Sequence, residues 1–123
     1  MKYRGKTHMQ LLLIVLNKTE KLNSLLDAWM EQGIGGATVL KSSGMVRILA
    51  KNIEQYPIVG SLRRMLTDID ERKDSRTIFM ALQDEKIEAA KAVVRGVVGD
   101  LSQPDTAVMF TLPVLSVEGV DLL

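Results

Sequence analysis

Few residues in this chain could do chemistry. Of its 123 residues one is histidine, His8, and none is cysteine, which rules out disulfides and thiolate metal sites. Ser42-Ser43 is a hydroxyl pair, but a serine nucleophile needs a base and a group that orients that base, and neither stands at readable spacing. The pair suits hydrogen bonding at a strand end. His8 shares a segment with Lys2, Arg4 and Lys6 that shows no packing period, and a lone histidine without partners is not a catalytic set. The remaining chemistry is cationic. Arg47, Arg63 and Arg64 lie in one long stretch, 44–76, and guanidinium groups hold carboxylates and phosphates through charge-assisted, often bidentate hydrogen bonds. They suit an anionic ligand or an acidic partner; the plainer alternative is that they are solvated on a helix that packs on its own assembly or covers a sheet edge.

Length and composition narrow the classes further. A chain of this length suits one domain with a workable core. The formal net charge is +1, which supplies no global pull towards nucleic acid or membrane. No basic strand face carrying aromatic residues is present, so a nucleic-acid partner is not expected. The longest clean apolar run, Leu11 to Leu16, is about a third of the roughly 20 residues that a spanning helix needs. No signal-peptide pattern follows the basic start. With no cysteine, the sequence predicts a cytoplasmic protein without membrane insertion.

The elements that must position these residues follow from periodicity. Residues 1–8 read as a loose leader and 9–123 as the single domain. Gln10 to Leu16 is apolar on both alternating faces, as an inner strand is. Asn17 and Glu20 have capping-box spacing, and Leu22, Leu25, Leu26, Trp29 and Met30 make one helical stripe that Gly33 closes. Trp29 lies on that stripe and is expected in the core. Gly35-Gly36 turns into a second strand, Ala37 to Ser42, whose mixed polarity suits an edge. Thr77 to Leu82 is again apolar on both faces. Asp84 is the expected cap of a second helix, with Glu85 and Glu88 in its first turn. Its stripe is Ile87, Ala90, Val94, Val97 and Val98, and Gly99 ends it. Ser102 to Asp105 is a turn, and Ala107 to Leu115 the last strand, with Pro113 implying an edge or strand end.

Strand, helix, strand, strand, helix, strand predicts an α+β, ferredoxin-like βαββαβ sandwich: a four-stranded antiparallel sheet with both helices on one face. Two helices cover one face only, yet the first and third strands are apolar on both. The bare face predicts a symmetric homo-oligomer. Between the second and third strands a hairpin would suffice, but about thirty residues intervene, and connections beyond about 12–15 residues are usually functional or disordered. Val46, Ile48 and Leu49 could extend the edge strand. After Pro57, the residues Ile58, Leu62, Met65, Leu66 and Ile69 have helical spacing. Asp70 to Arg76 is charged in both signs and reads as mobile.

The element order, the long excursion after the second strand, and the residues Gly36-Ala37-Thr38-Val39 and Gly44-Met45-Val46-Arg47 resemble the nitrogen regulatory protein PII superfamily. Val108-Met109-Phe110-Thr111-Leu112-Pro113-Val114 is similar to its last strand. The resemblance spans Met9 to Val120. It implies a homotrimer that senses a small anionic effector between subunits, with ATP, ADP, AMP or another nucleotide as candidates. It also implies that the long T-loop-like insertion 44–76 plugs into a regulated transporter or enzyme in nitrogen or carbon metabolism. By the same resemblance Thr38 lies at the adenine edge, and Gly44 and Arg47 at the loop base near the phosphates, with Met45 between them counted in the ligand site. Arg63, Arg64, Arg72 and Lys73 are the expected partner-binding cations. The chain departs from the family pattern at Val46, where a second glycine would let the backbone approach a phosphate. It departs again in Gly99 to Ala107, which offers Asp100 and Asp105 but no lysine or arginine. A triphosphate would be poorly neutralised there, and Tyr56 does not match the family's modification site. The chain therefore groups with divergent PII-like proteins, whose ligands vary. A small ferredoxin-fold enzyme and a trimeric metal-tolerance-type protein are the competing functions. The absence of a nucleophile–base set argues against the first, and a single histidine against the second. No catalytic or metal-ligating residue is expected.

Overall fold

The computed structural model describes residues 8–51 and 74–119. Strands β1 (Met9–Leu16), β2 (Thr38–Ser42), β3 (Ser75–Gln83) and β4 (Ala107–Pro113) form one sheet in the order β2-β3-β1-β4, with every pair antiparallel. Helices α1 (Leu22–Glu31) and α3 (Asp84–Val98) follow β1 and β3, and a short helix α2 (Met45–Lys51) follows β2. This is the α+β, ferredoxin-like arrangement. The two apolar strands are inner, and the mixed-polarity β2 and proline-bearing β4 are edges, because only edges tolerate polar faces and a missing amide donor.

Alternation along the strands sorts the core. Leu12, Ile14 and Leu16 of β1, Ile78, Met80 and Leu82 of β3, and Ala107 of β4 are buried with Leu25 and Trp29 of α1 and with Ile87, Ala90, Val93, Val94 and Val98 of α3. Trp29 is a core residue whose indole Nε1 donates to the Ala90 carbonyl at 3.1 Å, joining the helices where water is excluded. The other face carries Leu11, Leu13, Val15, Phe79 and Ala81, all only half-buried. There Leu13 lies between Phe79 on β3 and Phe110 on β4. Leu40, Val108, Phe110 and Leu112 are each about half exposed on this face, at 43–50%.

Several local expectations are corrected. The Asn17/Glu20 capping box does not form: the Asn17 and Lys18 amides donate to the Thr106 carbonyl at 2.8 and 3.1 Å. Thr19–Lys21 then makes a 3₁₀ turn, so the helix starts only at Leu22, past both capping residues. Met30 is exposed rather than part of the buried stripe. At the helix end Gly33 takes φ +76°, its amide donates to Met30 and that of Ile34 to Trp29, which is a Schellman closure. It folds the buried Ile34 back into the core beside Trp29. Asp84 is the first residue of α3 rather than its cap; its carboxylate accepts from Gln10 Nε2 at 3.0 Å and its amide donates to the His8 carbonyl. Glu88 lies beyond the first turn and pairs with Lys91 at 3.2 Å. Val46, Ile48 and Leu49 are helical, not an extension of β2. The last β2–β3 rung is Ser42 opposite Ser75, and beyond it the backbone bonds locally, Ile48 N–H to the Gly44 carbonyl. Conversely, β3 begins at Ser75, inside the stretch expected to be mobile. Pro57 to Ile69, Tyr56, Arg63, Arg64, Arg72 and Lys73 lie outside the described residues.

Two predictions follow from this packing. Trp29→Ala should cost about 3–5 kcal/mol, and Trp29→Phe, which loses mainly one hydrogen bond, about 1–2 kcal/mol, both read from urea unfolding. Asp100 accepts from the amide and hydroxyl of Ser102 at 2.9 and 2.8 Å, which lowers its pKa, the backbone donor contributing most. Its folded pKa lies below the unfolded one, so its contribution is present above about pH 4 and is lost as pH falls through the lower, folded value. Acid titration of Asp100→Ala should show a shallower loss of stability in that window.

Candidate functional site

The functional corner forms where β2 ends and β3 begins, because the chain leaves the sheet and re-enters it at that point. Ser42 and Ser75 face each other in register. Their hydroxyls are 2.7 Å apart; Thr77 Oγ1 donates to Ser42 Oγ at 2.9 Å, and Ser75 Oγ donates to the Ser42 carbonyl at 3.2 Å. The Ser42-Ser43 pair is thus engaged in strand-end hydrogen bonding. Continuing the register by one residue sets Ser43 against Asp74, and Ser43 Oγ donates to Asp74 Oδ1 at 2.7 Å. From the first turns of α2, Arg47 Nε donates to the same oxygen at 2.8 Å. The Arg47 side chain is 18% exposed and that of Asp74 39%. A hydroxyl and a guanidinium N–H therefore converge on one carboxylate oxygen. This is the geometry of an oxyanion receptor, here holding the chain's own carboxylate.

The structure brings together Gly44, Met45 and Arg47 of the expected ligand set. Gly44 supplies the carbonyl that starts α2, and a Cβ there would meet nothing within 4 Å. Met45 is largely exposed. Thr38 does not join them. It opens β2 at the opposite end, opposite Phe79, about 13 Å of strand away from Ser42. Asp74 is the corner residue that the sequence left unassigned; Ser43, expected in strand-end hydrogen bonding, donates to it. The signal for Asp74 was a carboxylate immediately before an apolar strand, which the surrounding charge run obscured. Among the described residues no group of three metal-ligating side chains gathers, no buried side-chain nitrogen or oxygen is left without a partner, and no helix is long and apolar enough to cross a membrane.

The Arg47–Asp74 pair is only partly buried, so its worth is modest. A double-mutant cycle on Arg47→Ala and Asp74→Ala should give a coupling of about 0.5–1 kcal/mol that shrinks at high salt.

No protein-family model matches the chain, and no curated protein matches it in sequence. Solved structures do match it. The PII protein of Arabidopsis thaliana, in a crystal structure bound to citrate, superposes with a TM-score of 0.60 at 12% identity, over 88% of this chain and 78% of that one. A functionally unknown protein from Pediococcus pentosaceus superposes with a TM-score of 0.58 at 15% identity, over 91% of this chain and 97% of that one. At such identities the likeness is one of backbone path. Strand order, helix placement and the excursion between β2 and β3 give this chain a PII-like ferredoxin fold.

Proposed function

We propose that this chain is a PII-like regulatory protein, an oligomeric sensor that takes a small anionic effector and acts on a partner protein rather than on a substrate. The observation that carries the reading is the receptor at the β2–β3 corner, where Arg47 and Ser43 hold a carboxylate oxygen at 2.8 and 2.7 Å. It stands at the root of the long connection, so an anion competing with Asp74 acts on the residues from which that connection departs. A PII protein with citrate bound is among the structures that share the fold, and citrate is an anion of the same carboxylate chemistry. An adenine nucleotide is the other effector class, with Thr38 at its base and Gly44, Met45 and Arg47 towards its phosphates. The partner is a transporter or enzyme of nitrogen or carbon metabolism, met through Arg63, Arg64, Arg72 and Lys73. The protein works in the cytoplasm.

The assembly follows from the bare sheet face. Leu13, Phe79 and Phe110 in one cross-strand row, with Val108 and Leu112 beside them, form an apolar surface of the kind that self-association covers. A homotrimer is the assembly proposed, with effectors held between subunits.

Two measurements test this reading. The first is a thermal-shift screen against ATP, ADP, AMP, cyclic nucleotides, 2-oxoglutarate, bicarbonate and citrate. At 100-fold over its dissociation constant the effector should stabilise the native state by about 2.7 kcal/mol. Arg47→Ala should abolish that shift, and a response that survives in the variant refutes the Arg47 site. The second is sedimentation of Phe110→Glu. The side chain is already half exposed in the single chain, so the variant should fold yet dissociate; an unchanged assembly would show that the sheet face is not the interface.

A further inference from the structure

A second group of charges lies outside the Arg47 corner. Lys41 on β2 and Arg76 on β3 are direct cross-strand partners, and Arg76 is also the partner of Leu16 on β1. Leu16 is fully buried in the core, so strand alternation puts Lys41 and Arg76 on the helix-bearing side of the sheet. Like charges directly opposite one another destabilise a strand pair, and a carboxylate nearby would relieve the repulsion. Asp74, two residues before Arg76 on the same face, is a carboxylate close by, but Ser43 and Arg47 take it; among the described residues the ion pairs are Arg47–Asp74 and Lys91–Glu88, and neither Lys41 nor Arg76 joins one. The Arg76 guanidinium donates through Nη1 to the Ser75 carbonyl at 3.1 Å, a neutral acceptor.

Folding accounts for one of the two residues. A lysine on an edge strand guards it against pairing with another chain, and Lys41 is exposed on the edge strand β2. That reason does not reach Arg76. It is half-buried on an inner strand, where apolar and β-branched residues serve a sheet best. An acid at either position would convert repulsion into attraction, and both positions are cationic.

We infer that Lys41 and Arg76 form an oxyanion subsite for a carboxylate or phosphate group of a small ligand held against the helix side of the β2–β3 pair. Their Cβ atoms are about 5 Å apart, as for any directly opposed pair, and both side chains are long enough to reach one group placed between them. The arginine supplies a planar fork and the lysine a mobile point charge. The subsite lies beside the Arg47 receptor, two residues along the same face, but it uses different side chains and stands even if Arg47 binds no ligand.

The test is a titration of the full chain with inorganic phosphate and, separately, citrate, at ionic strength held constant with chloride, read by melting temperature and by calorimetry. The variants are Lys41→Glu, Arg76→Gln and Arg47→Ala. Excluded-anion stabilisation is common to all of them, so only differences from the parent chain count. Lys41→Glu should raise the melting temperature by a few degrees in chloride alone and weaken binding of the preferred anion by about tenfold or more. Arg76→Gln should weaken it similarly, whereas Arg47→Ala should retain this binding event. The stronger of the two anions names the group recognised. Equal responses from the parent chain and Lys41→Glu, an exposed substitution that leaves the core intact, would overturn the inference. So would a change of assembly state in Lys41→Glu with the anion response unaltered, since the pair would then face a second copy of the chain.

Discussion

One helix layer has to serve a sheet whose two inner strands are apolar on both sides. Leu12, Ile14, Ile78 and Met80 are sealed beneath α1 and α3, with the Trp29–Ala90 hydrogen bond joining the two helices over them. Leu11, Leu13, Val15 and Phe79, the residues between, are left half-buried. Burial of apolar surface stabilises by roughly 25 cal/mol per Å², and the fold places its sealed core on one side of the sheet and its exposed apolar surface on the other.

The same constraint sends polar chemistry to the periphery. The helices cover the inner strands, and the place left for hydroxyls and charges is the edge strand β2 and the ends of the sheet. Ser42, Ser43, Asp74, Ser75 and Thr77 satisfy one another there, because a strand end has no further ladder partners to offer. Arg47 reaches this cluster because α2 turns back immediately after β2. Had the edge strand continued through Val46 and Ile48, Arg47 would have been carried away from Asp74. Among the described residues Arg47 meets Asp74 at this end, while Lys41 and Arg76 stand opposite each other.

Much of the fold was legible in the sequence because burial imposes period. Two-sided apolar strands, the Leu25/Trp29 and Ile87/Ala90/Val94 stripes, and glycines closing both helices follow from local pattern. The strand order followed once right-handed crossovers were assumed. Errors gathered at element ends, at Asn17, Met30, Asp84 and Val46. At Asn17 and Asp84 a contact distant in sequence decided the outcome: the Thr106 carbonyl claimed the Asn17 and Lys18 amides, and His8 and Gln10 took Asp84.

The sequence by itself determined the fold class, the inner and edge strands, the apolar surplus on the sheet, and the absence of a thiol. Those depend on residue type and on spacing within one element. Only the tertiary structure decided which charges meet. Asp74 is 27 residues from Arg47 and 31 from Ser43, and it reaches both because β3 returns beside β2. The opposition of Lys41 and Arg76 has the same origin, since cross-strand register is set by pairing and not by any period that either strand carries alone.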